Sequence, residues 1–128
     1  MALFYTDSIS LAYSNVDAAK QWWVEAFDCK VVVGPKDWDD ALPSDVALQL
    51  PGDDGPRILL LAESEVKQSG LAMPDPLSAV MFCKKLKKGH DQLASRGFSP
   101  GPIQDGGDTE FFDVRDSEGH TIQICHET

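Results

Sequence analysis

The sequence predicts an α+β fold made of two successive units, each of one strand, one helix and three further strands, together forming a single domain over 1–128. Three observations carry this. Apolar residues alternate with small or polar ones over short stretches; each half holds one helical stripe directly after its first such stretch; and the order of elements in the first half returns in the second. The first unit covers about 1–68 and the second about 76–128.

Ser8 to Tyr13 reads Ser-Ile-Ser-Leu-Ala-Tyr, a strand buried on one face. Ser14-Asn15-Val16-Asp17 has the Ser-x-x-Asp spacing of a helix start, with Asp17 favourably placed in the first turn. Val16, Ala19, Trp23, Ala26 and Phe27 then form one apolar stripe on a helix ending near Cys29, flanked by Trp22. Lys30 to Val33 is a short strand closed by Gly34-Pro35, and Lys36 to Ser44 is an acidic loop carrying Trp38. Val46 to Leu50 and Arg57 to Ala62 are two strands joined by the turn formers of 51–56. The polar stretch Glu63 to Pro76 has no sustained period and is expected to be a linker.

In the second half, Leu77 to Cys83 is strand-like. Lys84 to Arg96 is helical with Leu86, His90 and Leu93 on one side, although Gly89 is a poor helix residue, and Gly97 fits a left-handed stop. Ile103 to Gly107 is rich in turn formers, Glu110 to Arg115 alternates as a strand, 116–119 is a turn, and Thr121 to Cys125 is the closing strand. An offset of 70 aligns Ser8 with Ser78, Leu11 with Met81 and Trp23 with Leu93.

Composition narrows the partners. Twenty-one acidic residues against 11 basic ones give a formal charge of −10, a field that repels phosphate backbones and anionic lipid surfaces. Neither a nucleic acid nor a membrane is therefore an expected partner, while a neutral or cationic small molecule is admissible. Cys29, Cys83 and Cys125 cannot pair completely and show no CxxC spacing, as in a reduced, cytoplasmic protein. Asp7 precedes any basic residue and no apolar run approaches the roughly 18 residues of a span, so neither a secretion signal nor a membrane helix is expected.

Two segments carry a family likeness. Asn15-Val16-Asp17-Ala18-Ala19-Lys20-Gln21-Trp22-Trp23 resembles the Asp-Leu-x-x-Ala-x-x-Phe-Tyr pattern of the first helix in the vicinal oxygen chelate superfamily of glyoxalases, bleomycin resistance proteins and dioxygenases. Phe112-Asp113-Val114-Arg115-Asp116-Ser117-Glu118-Gly119-His120 is similar to its Phe-x-Val-x-Asp-Pro-x-Gly-Asn turn before the last strand. The resemblance spans nearly the whole chain and implies curved mixed sheets around a cup, helices on the outer face, and a homodimer.

In such a cup, alternation turns Ser8, Ser10 and Ala12 inward and Ile9, Leu11 and Tyr13 to the helix. Likewise Ser78, Val80 and Phe82 oppose Ala79 and Met81, while Thr121, Gln123 and Cys125 oppose Ile122 and Ile124. Members that use a divalent ion hold it with His or Glu at four strand positions, which the resemblance places here at Ser8, Leu60, Ser78 and Gln123. Two hydroxyls, an alkyl group and an amide offer no charge to a dication, so no metal or other cofactor is expected. His90 on the helical stripe, His120 in the last turn, and the oppositely pointing Cys125 and His126 do not form a replacement set.

The expected function is binding of a small organic molecule, cationic ones included, on polar groups of Ser8, Ser10, Ser78 and Gln123 set among the apolar Ile58, Leu60, Val80 and Phe82. Trp38 lies beside three acids at the rim, and Glu110, with Phe111, Asp113 and Arg115, stands on the strand where relatives place substrate contacts. The alternative is a lyase or isomerase of glyoxalase type, working with a displaced metal or with Glu110, Asp113 or His120 as acid and base. Lys84, Lys85, Lys87 and Lys88 form a basic cluster at the start of the second helix, an end unfavourable to cations.

Overall fold

The computed structural model describes residues 3–6, 8–33, 44–52, 58–70 and 79–127, without the side chains of Val32 and Val33. The elements are β1 (Phe4–Tyr5), β2 (Ile9–Tyr13), α1 (Val16–Phe27), β3 (Lys30–Val33), β4 (Val46–Gln49), β5 (Ile58–Ala62), α2 (Glu63–Ser69), β6 (Val80–Cys83), α3 (Leu86–Ser95), β7 (Gln104–Asp105), β8 (Glu110–Arg115) and β9 (Thr121–His126). They build two mixed sheets, β2-β5-β4-β3 and β1-β6-β9-β8-β7. In each, the first strand of the unit runs parallel to the last, β2 with β5 and β6 with β9, and the remaining pairs are antiparallel. The repeated α+β order read from the sequence is the observed one.

Each helix covers one sheet face because its apolar stripe has no other place to go. Val16, Ala19, Trp23, Ala26 and Phe27 are buried along α1, against the odd-numbered residues Ile9, Leu11 and Tyr13 of β2. Asn15, not Ser14, caps α1: its backbone is extended and its side chain accepts a 3.1 Å hydrogen bond from the Ala18 N–H. Asp28 ends the helix in the left-handed region at φ 57°. On the second sheet, α3 sets His90 edge-on to Phe112 with ring centroids 5.0 Å apart, and the imidazole Nε2 lies 2.8 Å from the Gly101 carbonyl oxygen. His90 is thus a packing residue.

Three features depart from the sequence-based expectation. The stretch read as a linker begins with α2, a seven-residue helix with one buried side chain, Val66. Gln104–Asp105, expected to be turn, pairs with β8 as the edge strand. Finally, β1 joins the second sheet although it falls within the span read as the first unit: Phe4 pairs with Cys83 and Tyr5 with Phe82, and the Lys84 N–H donates to the Leu3 carbonyl at 3.0 Å.

The two units share one core. Trp23 Nε1 donates to the Tyr13 hydroxyl at 3.1 Å, and that hydroxyl donates to Asp116 Oδ2 at 2.5 Å, in the turn between β8 and β9. The same turn sends the Glu118 carboxylate to the backbone N–H groups of Ser14 and Asn15, at 2.9 and 2.8 Å. At the far end of α1, Arg96 donates to the Ala26 carbonyl at 3.0 Å and to Asp28 at 2.9 Å. An anion therefore meets the positive end of α1 and a cation its negative end, both supplied by the second unit.

Candidate binding face

The sheet faces turned away from the helices carry the chemistry. Strand register fixes their composition, because directly paired residues point to the same side. On the second sheet Tyr5, Phe82, Cys125 and Phe111 lie side by side in one row. Val80, Gln123 and Asp113 form the next row, and Thr121 with Arg115 a third. Adjacent rows stand roughly 7 Å apart along the strands. From Tyr5 to Cys125 these side chains are half-buried, whereas Arg115 is exposed.

Tyr5 and Phe82 are stacked, with centroids 5.5 Å apart and planes 24° from parallel, and Lys84 Nζ sits 5.9 Å from the Tyr5 centroid. In the middle row, Asp113 Oδ1 is sealed from solvent and has no hydrogen-bond partner among the described residues. The Cys125 thiol points at Gln123 Oε1, 3.7 Å away. Burial pushes the pKa of that thiol up, and the nearby Asp113 charge raises it further, so Cys125 is a neutral donor at physiological pH.

On the first sheet the corresponding face carries Ser10 and Ala12 on β2, Leu59 and Leu61 on β5, and Ala47 on β4. Here the expectation for Leu60 is corrected. Leu60 pairs with Leu11 and Ile58 with Ile9, so both point to the helix and are fully buried in the core. A run of four apolar residues, Ile58 to Leu61, carries no alternation from which to read a phase. Glu110 is corrected too: Asp113 pairs with Gln123, so the even-numbered Phe112 and Val114 face the core and Glu110 shares their side. It is exposed at the strand end, lining an open depression with Asp105, Asp108, Thr109 and His126. Ser8 is exposed ahead of β2, Ser10 is half-buried, and Phe82 and Gln123 stand on the face expected for them. Trp38 and Ser78 lie outside the described residues.

Tyr5 is the residue of this face that pattern reading did not select. Asp113 and Phe111 were among the acids and aromatics of β8, but only the pairing with β9 separates them from Glu110. A further open cleft, of about 580 Å³, lies at the start of α1 between Asn15, Asp17, Ser44 and Glu65. Its polar groups serve one another: Glu65 accepts from both the N–H and the hydroxyl of Ser44, at 2.9 and 2.5 Å.

The divalent ion of the vicinal oxygen chelate enzymes does not fit these residues. With the phase of β5 corrected, the first sheet offers serine hydroxyls and leucine side chains, and β9 offers the Gln123 amide. Among the described residues no three His, Cys, Asp or Glu side chains converge as a metal site requires. His120 keeps its place in the turn, with Nδ1 3.3 Å from Asp116 Oδ2 and the backbone N–H of His120 donating to Asp116 Oδ1 at 2.9 Å. No described helix is long and apolar enough to cross a membrane.

No family model and no curated protein matches the sequence. Solved structures do match in shape. A member of the glyoxalase/bleomycin resistance protein/dioxygenase superfamily from Sphaerobacter thermophilus superposes with a TM-score of 0.74 at 15% identity, over 96% of this chain and 97% of that one. Lactoylglutathione lyase from Agrobacterium tumefaciens gives 0.69 at 11% identity, over 94% and 92%. TioX from Micromonospora gives 0.62 at 17% identity, over 96% of each. Likeness at these identities is a likeness of fold, and the chain has the fold of the vicinal oxygen chelate superfamily, as its two helix and turn motifs imply.

Proposed function

We propose that this protein binds a small organic molecule on the helix-free sheet face and does so without the metal centre of the superfamily's enzymes. The observation that carries the reading is the cross-strand patch in which an aromatic row, Phe82 and Phe111, adjoins a polar row, Gln123 and Asp113. Apolar surface with a few convergent polar groups is the usual make-up of a small-molecule site. The neutral Ser8 and Gln123 at two of the positions where the resemblance places ion ligands, an acidic chain overall, and the likeness of fold all support it.

Mapping backbone and side-chain amide shifts by NMR against a panel of aromatic, cationic and neutral compounds tests the binding. Saturable shifts centred on Phe82, Phe111, Asp113, Gln123 and Cys125 are expected; shifts confined to other surfaces overturn the assignment. Elemental analysis after exhaustive dialysis tests the second half of the reading. One tightly held nickel or zinc ion per chain overturns it and returns the protein to the enzyme class.

A further inference from the structure

Resting on that reading, we propose that Asp113 is the specificity-determining residue of this face and selects ligands that pair a flat ring with a cationic N–H donor one strand row away. The geometry supplies both halves. Tyr5, Phe82 and Phe111 stand in one row and offer ring faces or edges to a flat group. The next row, roughly 7 Å along the strands, holds a carboxylate and an amide, Asp113 opposite Gln123.

The carboxylate is in an unusual state. One oxygen is withdrawn from solvent without a donor, while the side chain as a whole remains partly open. Its neighbours do not relieve it: Cys125 directs its thiol to Gln123, and Val80 is apolar. Of the described cations near this face, Lys84 lies over the Tyr5 ring at the far end of the aromatic row, and Arg115 is exposed in the third row and donates to the Gly119 carbonyl at 3.1 Å. A desolvated, unpaired acceptor gains more from an incoming charged donor than a solvated one does. Gln123 adds a second acceptor or donor beside it, so an ammonium or amidinium group is held by two residues while its ring lies on the aromatic row.

The test uses the intact protein, 3-phenylpropylammonium and its neutral counterpart 3-phenylpropanol, with affinities from isothermal titration calorimetry and the contact site from the Gln123 side-chain amide signals. Wild type is expected to prefer the ammonium by about tenfold or more, the scale of one charge-assisted hydrogen bond. Asp113→Asn is expected to remove that preference, bringing the affinity ratio of the two compounds close to one; circular dichroism confirms that the variant folds. Equal binding of both compounds to wild type at Gln123, or a preference that survives Asp113→Asn, overturns the role of Asp113 while the binding face stands. Failure of both compounds to perturb Gln123 overturns the assignment of the face itself.

Discussion

Tyr13 and Asp116 are 103 positions apart in the chain yet share a buried hydrogen bond of 2.5 Å, with the Trp23 indole donating to the same hydroxyl. The Tyr13 hydroxyl is held well above its ordinary pKa, first by burial and then by the Asp116 carboxylate, and therefore is a donor at physiological pH. Tyr13→Phe removes one oxygen and takes the hydroxyl partner from two buried groups, the Trp23 N–H and Asp116 Oδ2. The expected loss is about 2–6 kcal/mol, at roughly 1–3 for each buried group that loses its partner, measured by urea unfolding. A change of a few tenths would show that solvent replaces the hydroxyl.

Glu118 links the units through an exposed helix end, and its effect follows pH. Partial burial pushes its carboxyl up, but the Ser14 and Asn15 N–H donors outweigh this, and the net pKa lies below the usual carboxylate value of 4.5. A carboxylate with a lowered folded pKa stabilises the fold above its unfolded pKa, and the contribution disappears as pH falls through the folded value. Glu118→Gln should therefore be less stable than wild type near pH 7. The gap between their urea midpoints should close as pH is lowered from 5 toward 3.

Gly89 sits inside α3, where alanine is normally favoured by about 1 kcal/mol. Here a Cβ would stand 2.6 Å from Cys83 Sγ and 2.9 Å from the Phe4 ring. Gly89→Ala is expected to lower stability by about 1–3 kcal/mol, the scale of overpacking, and to lower the melting temperature in calorimetry. A rise in melting temperature would mean that Phe4 moves aside freely.

The thiols should be quiet in the folded chain. Burial, followed by the charge of Asp28, pushes Cys29 up to about 12, and burial also raises Cys83 and Cys125. Since the thiolate is the reacting form, native protein should react slowly with a disulfide reagent at pH 8, Cys125 first because it alone is half-exposed. In urea all three should react at once. Rapid reaction of Cys29 in the native state would show that β2, α1 and β3 open locally.

Much of this architecture was legible in the chain because strand alternation is clean where one face is polar. Ser8 to Tyr13 and Thr121 to Cys125 gave correct phases, and with them the sides of Ser10 and Gln123, while the side of Phe82 followed from the offset that aligns Ser78 with Ser8. Leu60 was misplaced because Ile58 to Leu61 is apolar on both faces, so only pairing with Leu11 sets its direction. Glu110 failed for the related reason that the phase of β8 is set by β9. The short α2 escaped because a single buried residue, Val66, leaves no period to detect. Contacts between the units, such as Tyr13 with Asp116 or Arg96 with Asp28, depend on the docking of distant segments and leave no local trace.

The pairing of β1 with β6 also orders events in time. Phe4 and Tyr5 leave the ribosome before the whole of the first unit, and their sheet partners Cys83 and Phe82 only after it. Until then the Phe4 ring, which meets Phe27 edge-on at 5.0 Å, lacks half of its surroundings. The nascent first unit thus stays unfinished until β6 is made, because Phe4 and Tyr5 have no sheet partner before then.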